Sequence, residues 1–183
     1  MIAVIDTCFI IDWARYRRKN ILTKLFKLIL IHEEVLAQIR SPITINFISN
    51  LLSQGVVKLY PWSSREEEAF NRLREEIVLD PRIPALERPD ILCLIMAYMS
   101  NSILLSENKG ILRVIAFHPK YSAIKVWTAL EVLENAVYRG LLKINNIKNF
   151  LQLVKEYEED TKHFFNRTRM NIIEMRIRKW LEK

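Results

Sequence analysis

Glycine is scarce in this sequence, with three in 183 residues. No stretch reads as a low-complexity linker, and no internal repeat is visible. Cysteine is nearly absent too. Cys8 and Cys93 cannot build a disulfide framework or a zinc cluster, and their apolar neighbours mark them as small buried residues of a reducing compartment. The three histidines, His32, His118 and His163, are scattered, which argues against a His-rich metal site. Nothing in the pattern supports a Ser/His/Asp or Cys/His triad. Long apolar runs are also missing. The longest, Ile91 to Met99, falls well short of the ~18 residues a membrane span needs. Asp6 interrupts the place where a leader peptide would have its apolar region, so a cytoplasmic protein without membrane association is expected.

What remains is a chain that is 50% hydrophobic, enough for one globular body with a sizeable core. Its net charge of +7 is unevenly spread. From Trp13 to Ile31 every charged residue is basic, and from Lys162 to Lys183 Lys and Arg far outnumber Glu174 and Glu182. Clusters of this kind suit a polyanion, most simply RNA, with Arg176, Arg178 and Lys179 as the contacts. A solvated basic surface explains them equally well.

Strand and helix signals alternate as far as Gly140, and only helical patterns follow. Ile2 to Ile5, Leu28 to Ile31, Val56 to Tyr60, Ile103 to Leu105 and a segment near Ala123 to Val126 read as strands. Between them, Thr7 to Arg17 places Phe9, Ile10, Trp13 and Ala14 on one helical face. Ser41-Pro42 opens a helix. Ser64 to Glu67 and Thr128 to Glu131 read as capping boxes. "DILCLIMAYM" is apolar nearly all round and should be buried on several sides. Asn145 is placed to cap a helix running towards Asp160. Met170, Ile173, Ile177, Trp180 and Leu181 then make one apolar stripe, packed on the chain's own body or across a homodimer. Strands alternating with helices imply a mostly parallel sheet covered on both faces.

Ligands of such sheets bind beyond the carboxyl ends of the strands, where strand order reverses. Asp6 ends the first strand, Ser106-Glu107-Asn108 ends the fourth, and Asp90 begins the helix that feeds it. Three acids far apart in sequence would share one crevice. Gathered carboxylates repel unless a cation sits among them, and a hard ion such as Mg²⁺ or Mn²⁺ is the natural partner. Each acid also has a plainer role. Asp6 and Asp90 suit helix starts, Glu107-Asn108 suits a strand-to-helix turn, and Asp12 reads as an exposed polar residue. A phosphoryl-acceptor role for Asp6 is disfavoured, because Cys8 stands where that chemistry needs a second Asp.

"VIDTCFIIDW", "IHEEVLAQI" and "RPDILCLIMAYMSNSILLSENKG" together resemble the motifs of the PIN-domain family, metal-dependent ribonucleases that include many prokaryotic toxins. "TALEVLENAVYRGLL" is similar to the tail of one PIN-like branch. The resemblance covers about Met1 to Lys143. It implies a three-layer α/β fold with a central, mostly parallel sheet of about five strands and helices on both faces. Residues 1–143 would form this domain, and 144–183 a helical C-terminal extension. It implies Asp6, Asp90 and Glu107 as catalytic metal ligands for Mg²⁺ or Mn²⁺, with Thr7 and Ser106 bracing carboxylates. RNA would be the substrate and an antitoxin or other protein a partner. Two positions depart from the pattern: Gln38 stands where the family has its second acid, and Asn108 where it has the last. Both offer only neutral oxygens to a cation. A catalytically inactive PIN-like protein that binds RNA or a protein is the alternative.

Overall fold

The computed structural model describes residues 1–182; Lys183, counted above in the basic tail, lies outside them. Five strands form one parallel sheet: β1 (Ile2–Ile5), β2 (Leu28–Ile31), β3 (Val57–Leu59), β4 (Ile103–Leu105) and β5 (Val126–Trp127). Their order is β3-β2-β1-β4-β5. The chain starts at the centre, builds outward through β2 and β3, then crosses back to β4. Ala3 is thus opposite both Ile29 and Ile103. The reversal of order falls between β1 and β4, and there the carboxyl ends of two neighbouring strands diverge into different loops.

The helices are α1 (Thr7–Arg15), α2 (Ile21–Leu25), α3 (Glu33–Gln38), α4 (Pro42–Ser53), α5 (Ser64–Leu79), α6 (Arg88–Met99), α7 (Lys109–Phe117), α8 (Ala129–Tyr138), α9 (Ile147–Thr161) and α10 (Arg167–Leu181). Phe9, Ile10, Trp13 and Ala14 are all buried, as the spacing predicts. Helix α6 lies between α5 and strands β1 and β4, and Ile91 to Ala97 are buried without a break. Burying each Ile or Leu there contributes about 1.5–3 kcal/mol, so α6 anchors the first turn that carries Asp90. Two caps fall one residue from their expected places. The box of α5 uses Ser63 with Glu66, because only Ser63 has the extended backbone a cap requires. Asn146, not Asn145, caps α9.

Helices α9 and α10 pack on α1 and α8. Tyr157 and Phe165 join Trp13 and Tyr16 in an aromatic cluster. On the α10 stripe, Ile173 and Ile177 are fully buried, whereas Trp180 stays partly exposed against Tyr138. Ion pairs fasten the extension: Arg17–Asp160 and Arg18–Glu156 at 2.8 Å, Arg169–Glu131 at 2.9 Å and Arg176–Glu134 at 3.3 Å. Two arginines of each basic stretch are therefore paired within the chain. Among the described residues no helix is long and apolar enough to cross a membrane.

Candidate functional site

Asp6 sits where β1 ends, and its N–H donates to Leu105 O at 3.1 Å, so pairing with β4 runs up to it. Its Oδ1 accepts from the Phe9 N–H at 2.7 Å and caps α1. Its Oδ2 is buried and has no hydrogen-bond partner. One oxygen of Asp6 thus caps α1, while the other makes no close hydrogen bond, although the Ser106 hydroxyl acts on the carboxyl as a donor. Burial lifts the carboxyl from 3.8 to about 7. The Ser106 hydroxyl and the Phe9 N–H oppose this, while the charges of Asp90 and Glu107 add to it.

Asp90 lies in the first turn of α6, whose N-cap is Glu87. Partial burial raises its pKa; the Glu87 charge pushes the same way and the Asn108 amide the other. Asn108 caps α7, its Oδ1 accepting from Gly110 N at 2.7 Å and Ile111 N at 3.4 Å. The Ser106 hydroxyl accepts from Asn108 N at 3.0 Å. Thr7, expected to brace Asp6, donates its hydroxyl to Gln38 Oε1 instead. Part of this set lines an open crevice of about 600 Å³, with Thr7, Cys8, Gln38, Arg40, Glu87, Asp90 and Asn108 in its wall, while Asp6 and Ser106 are buried outside that lining. Cys8 is therefore exposed, contrary to its apolar neighbourhood in sequence, because it lies off the Phe9–Ile10 face; Cys93 is buried. Glu34, outside this lining, pairs with Arg88 at 2.9 Å. A larger recess of about 790 Å³, near the amino ends of β1 and β4, has no carboxylate in its lining.

Glu107 turns elsewhere. Its Oε1 accepts from Ala129 N at 2.7 Å, at the start of α8. Its Oε2 faces His163 Nε2 at 3.5 Å, and His163 Nδ1 faces Asp12 Oδ2 at 3.4 Å. Asp12, read from sequence as exposed, has a side chain only 19% exposed. Its hydrogen bond and that of Glu107 raise the His163 pKa to about 10, so the ring is protonated at neutral pH. The acidic end thus has two parts. Asp90 and Glu87 line the crevice, Asp6 is buried one residue before Thr7 of its lining, and Glu107 and Asp12 belong to His163. Among the described residues, no three His, Cys, Asp or Glu side chains form a group that could hold one ion. Asp12, His163 and Arg40 carried no functional signal in the sequence. Arg176 and Arg178 are engaged by Glu134 and Glu174, while Lys179 is exposed.

No protein-family model and no curated protein matches the chain. Among solved structures, it is similar to a chain of VapBC2 from Rickettsia felis, crystallised bound to a DNA fragment from their promoter. The TM-score is 0.51 at 19% identity, over 70% of this chain and 98% of that one. The likeness is one of fold. This chain has a PIN-like α/β fold. The crevice lies near the carboxyl ends of β1 and β4, with Asp90 and Glu87 in its lining and Asp6 buried one residue before Thr7.

Proposed function

We propose that this PIN-like protein is a cytoplasmic, divalent-metal-dependent endoribonuclease of the toxin type, with a reduced acidic site built on Asp6 and Asp90. The observation that supports the reading is the buried Asp6 carboxyl, whose Oδ2 makes no close hydrogen bond and which feels the charge of Asp90. A buried acceptor left alone costs about 1–3 kcal/mol, which a cation would offset. Carboxylate oxygens suit Mg²⁺ or Mn²⁺, and such ions keep several waters, so a pair of acids with water is a workable donor set. When bound, the ion polarises a phosphoryl oxygen and lowers the pKa of water. The chain's own residues hold the rest of the arrangement. Asp6, oriented by the Phe9 N–H, and Asp90 would hold the cation, directly or through water. Arg40 lines the same crevice and meets a phosphate of the RNA. Thr7 orients Gln38, and Ser106 fixes Asn108. Glu107 would join only by leaving His163. An antitoxin-type protein partner belongs to this reading, supported by the fold shared with VapBC2; a homodimer is compatible with it.

A second reading, PIN-like binding of RNA or protein without catalysis, is favoured by one feature: Gln38 and Asn108 are neutral, and both Glu107 oxygens are engaged. Mn²⁺ calorimetry and RNA cleavage with Mn²⁺ or EDTA separate the two. The first expects Mn²⁺ binding and EDTA-sensitive cleavage, both lost in Asp6→Asn and strengthened in Gln38→Glu. Mn²⁺ binding without cleavage supports the second. Neither binding nor cleavage leaves Asp6 as a helix cap alone.

A further inference from the structure

The recess of about 790 Å³ at the amino ends of β1 and β4 lies at the opposite end of the sheet from the crevice. Its volume falls within the roughly 300–1,000 Å³ of small-molecule sites. Much of its wall is apolar: Met99 ends α6, Ile103 opens β4, Ile124 precedes β5 and Trp127 ends it. Its two charged lining residues are both cationic. Arg65 comes from the first turn of α5 and Lys125 from the residue before β5, and both are exposed. Lys120 adds a third positive charge nearby, its Nζ 5.3 Å from the centre of the Tyr98 ring that also lines the recess. The acids that follow Arg65 in α5 are used elsewhere: Glu66 in the Ser63 cap, Glu67 on Trp62 and Arg88, and Glu68 on Arg72. Among the described residues, neither Arg65 nor Lys125 is in an ion pair. Two neutral donors are also unused. Asn101, in the turn between α6 and β4, has a side chain without a hydrogen bond among the described residues. The Trp127 indole N–H has none either, whereas those of Trp13 and Trp62 are both engaged.

We propose that this recess binds a nucleoside monophosphate, either free or as the phosphorylated end of a nucleic-acid strand. A phosphate monoester carries about −1.5 to −2 charge at neutral pH, which two cations match. The Arg65 fork suits its oxygens in pairs, and Lys125 supplies a point charge. A nucleobase brings a flat apolar face for the wall of Met99, Ile103, Ile124 and Trp127. Its edge brings acceptors for the Asn101 amide and the Trp127 N–H. With no carboxylate in the lining, nothing repels the phosphate. A purely apolar ligand would leave both cations unused, and a bare phosphate would leave the apolar wall empty. The site stands apart from the function proposed above: it requires neither a metal ion nor cleavage at the crevice.

The test is titration of the full chain with UMP and AMP in EDTA, which keeps the crevice free of metal. Binding is read by calorimetry and by the NMR resonance of the Trp127 indole N–H, which Trp127→Phe identifies by its loss. Both nucleotides should bind and move that resonance. Arg65→Gln and Lys125→Gln should each weaken UMP binding roughly tenfold or more, because each removes a hydrogen bond to a charged group. Their melting temperatures should stay at the parental value, since both residues are exposed. Uridine and inorganic phosphate should each bind more weakly than UMP, since each fills only part of the recess. A short oligouridylate with a 5′-phosphate, set beside its 5′-hydroxyl form, tells the two sources apart. Tighter binding of the phosphorylated strand than of UMP assigns the recess to strand ends, and binding no tighter assigns it to free nucleotide. Should either glutamine variant fail to fold, the comparison of UMP with uridine in the parent decides. Uridine binding as tight as that of UMP means that the phosphate is not read, and overturns the inference. A Trp127 resonance unmoved at millimolar nucleotide overturns it too, as does an unchanged UMP affinity in the Arg65→Gln, Lys125→Gln double variant. Each of these failures leaves the reading of the crevice standing.

Discussion

Asp6 should make the metal-free protein less stable as pH rises towards neutrality. Its carboxyl is held at about 7 in the fold and falls to its ordinary 3.8 in the unfolded chain. Between those values the folded chain retains a proton that the unfolded chain has released, so rising pH favours unfolding. The gap corresponds to about 4 kcal/mol, absent below about pH 4 and complete above about pH 7. Asp90, also raised, contributes in the same direction. His163 acts in a separate, higher window. Its folded value is near 10 against an ordinary 6.5, so its ion-pair stabilisation is present below 6.5 and lost as pH rises through about 10. Urea unfolding with EDTA from pH 4.5 to 8 reads the Asp6 effect. Asp6→Asn cannot titrate there, but its amide would place an unpartnered donor where Oδ2 now lies, at about 1–3 kcal/mol. The two stability curves should therefore cross: Asp6→Asn weaker than the parent at pH 4.5, and stronger by about 1–3 kcal/mol at pH 8. Excess Mn²⁺ should flatten the parental curve alone, since the ion binds only the folded, ionised site. A parent whose stability is level or rising from pH 5 to 8 in EDTA would refute this account of Asp6.

Two other outcomes follow from the packing and the charges. Ile177→Ala should lower stability by about 2–4 kcal/mol with an unchanged urea slope, because its side chain is fully buried beneath α10; a loss under about 1 kcal/mol would mean that α10 is not part of the cooperative unit. Arg40→Gln should reduce the salt dependence of RNA binding by about one counterion, whereas Arg176→Gln with Arg178→Gln should leave it unchanged, since both guanidiniums are already paired; filter binding across a salt series distinguishes the two.

Most of the fold was legible in the order of residues. Apolar runs such as Ile2 to Ile5, the proline at the start of α4, the Thr128–Glu131 box and the glycines with left-handed backbones at Gly55 and Gly140 act within a turn of themselves. Such signals survive in one dimension because their partners are sequence neighbours. The alternation of strand and helix also predicted which end of the sheet would gather Asp6, Asp90, Ser106 and Asn108. The sequence alone thus determined a mostly parallel sheet of about five strands with acids beyond its carboxyl ends; the strand order, which makes β1 and β4 neighbours, came from the tertiary structure. Only the tertiary structure decided how those acids are used. Whether Glu107 faces the crevice depends on where His163 arrives, and that depends on how α9 packs against α1. Whether Arg17 and Arg18 are free for a polyanion depends on Glu156 and Asp160, which lie on the far side of the chain's length. Ion pairs at such separation have no periodicity and no spacing to read; they exist because buried apolar faces bring two surfaces together, and the charges at the rim then meet.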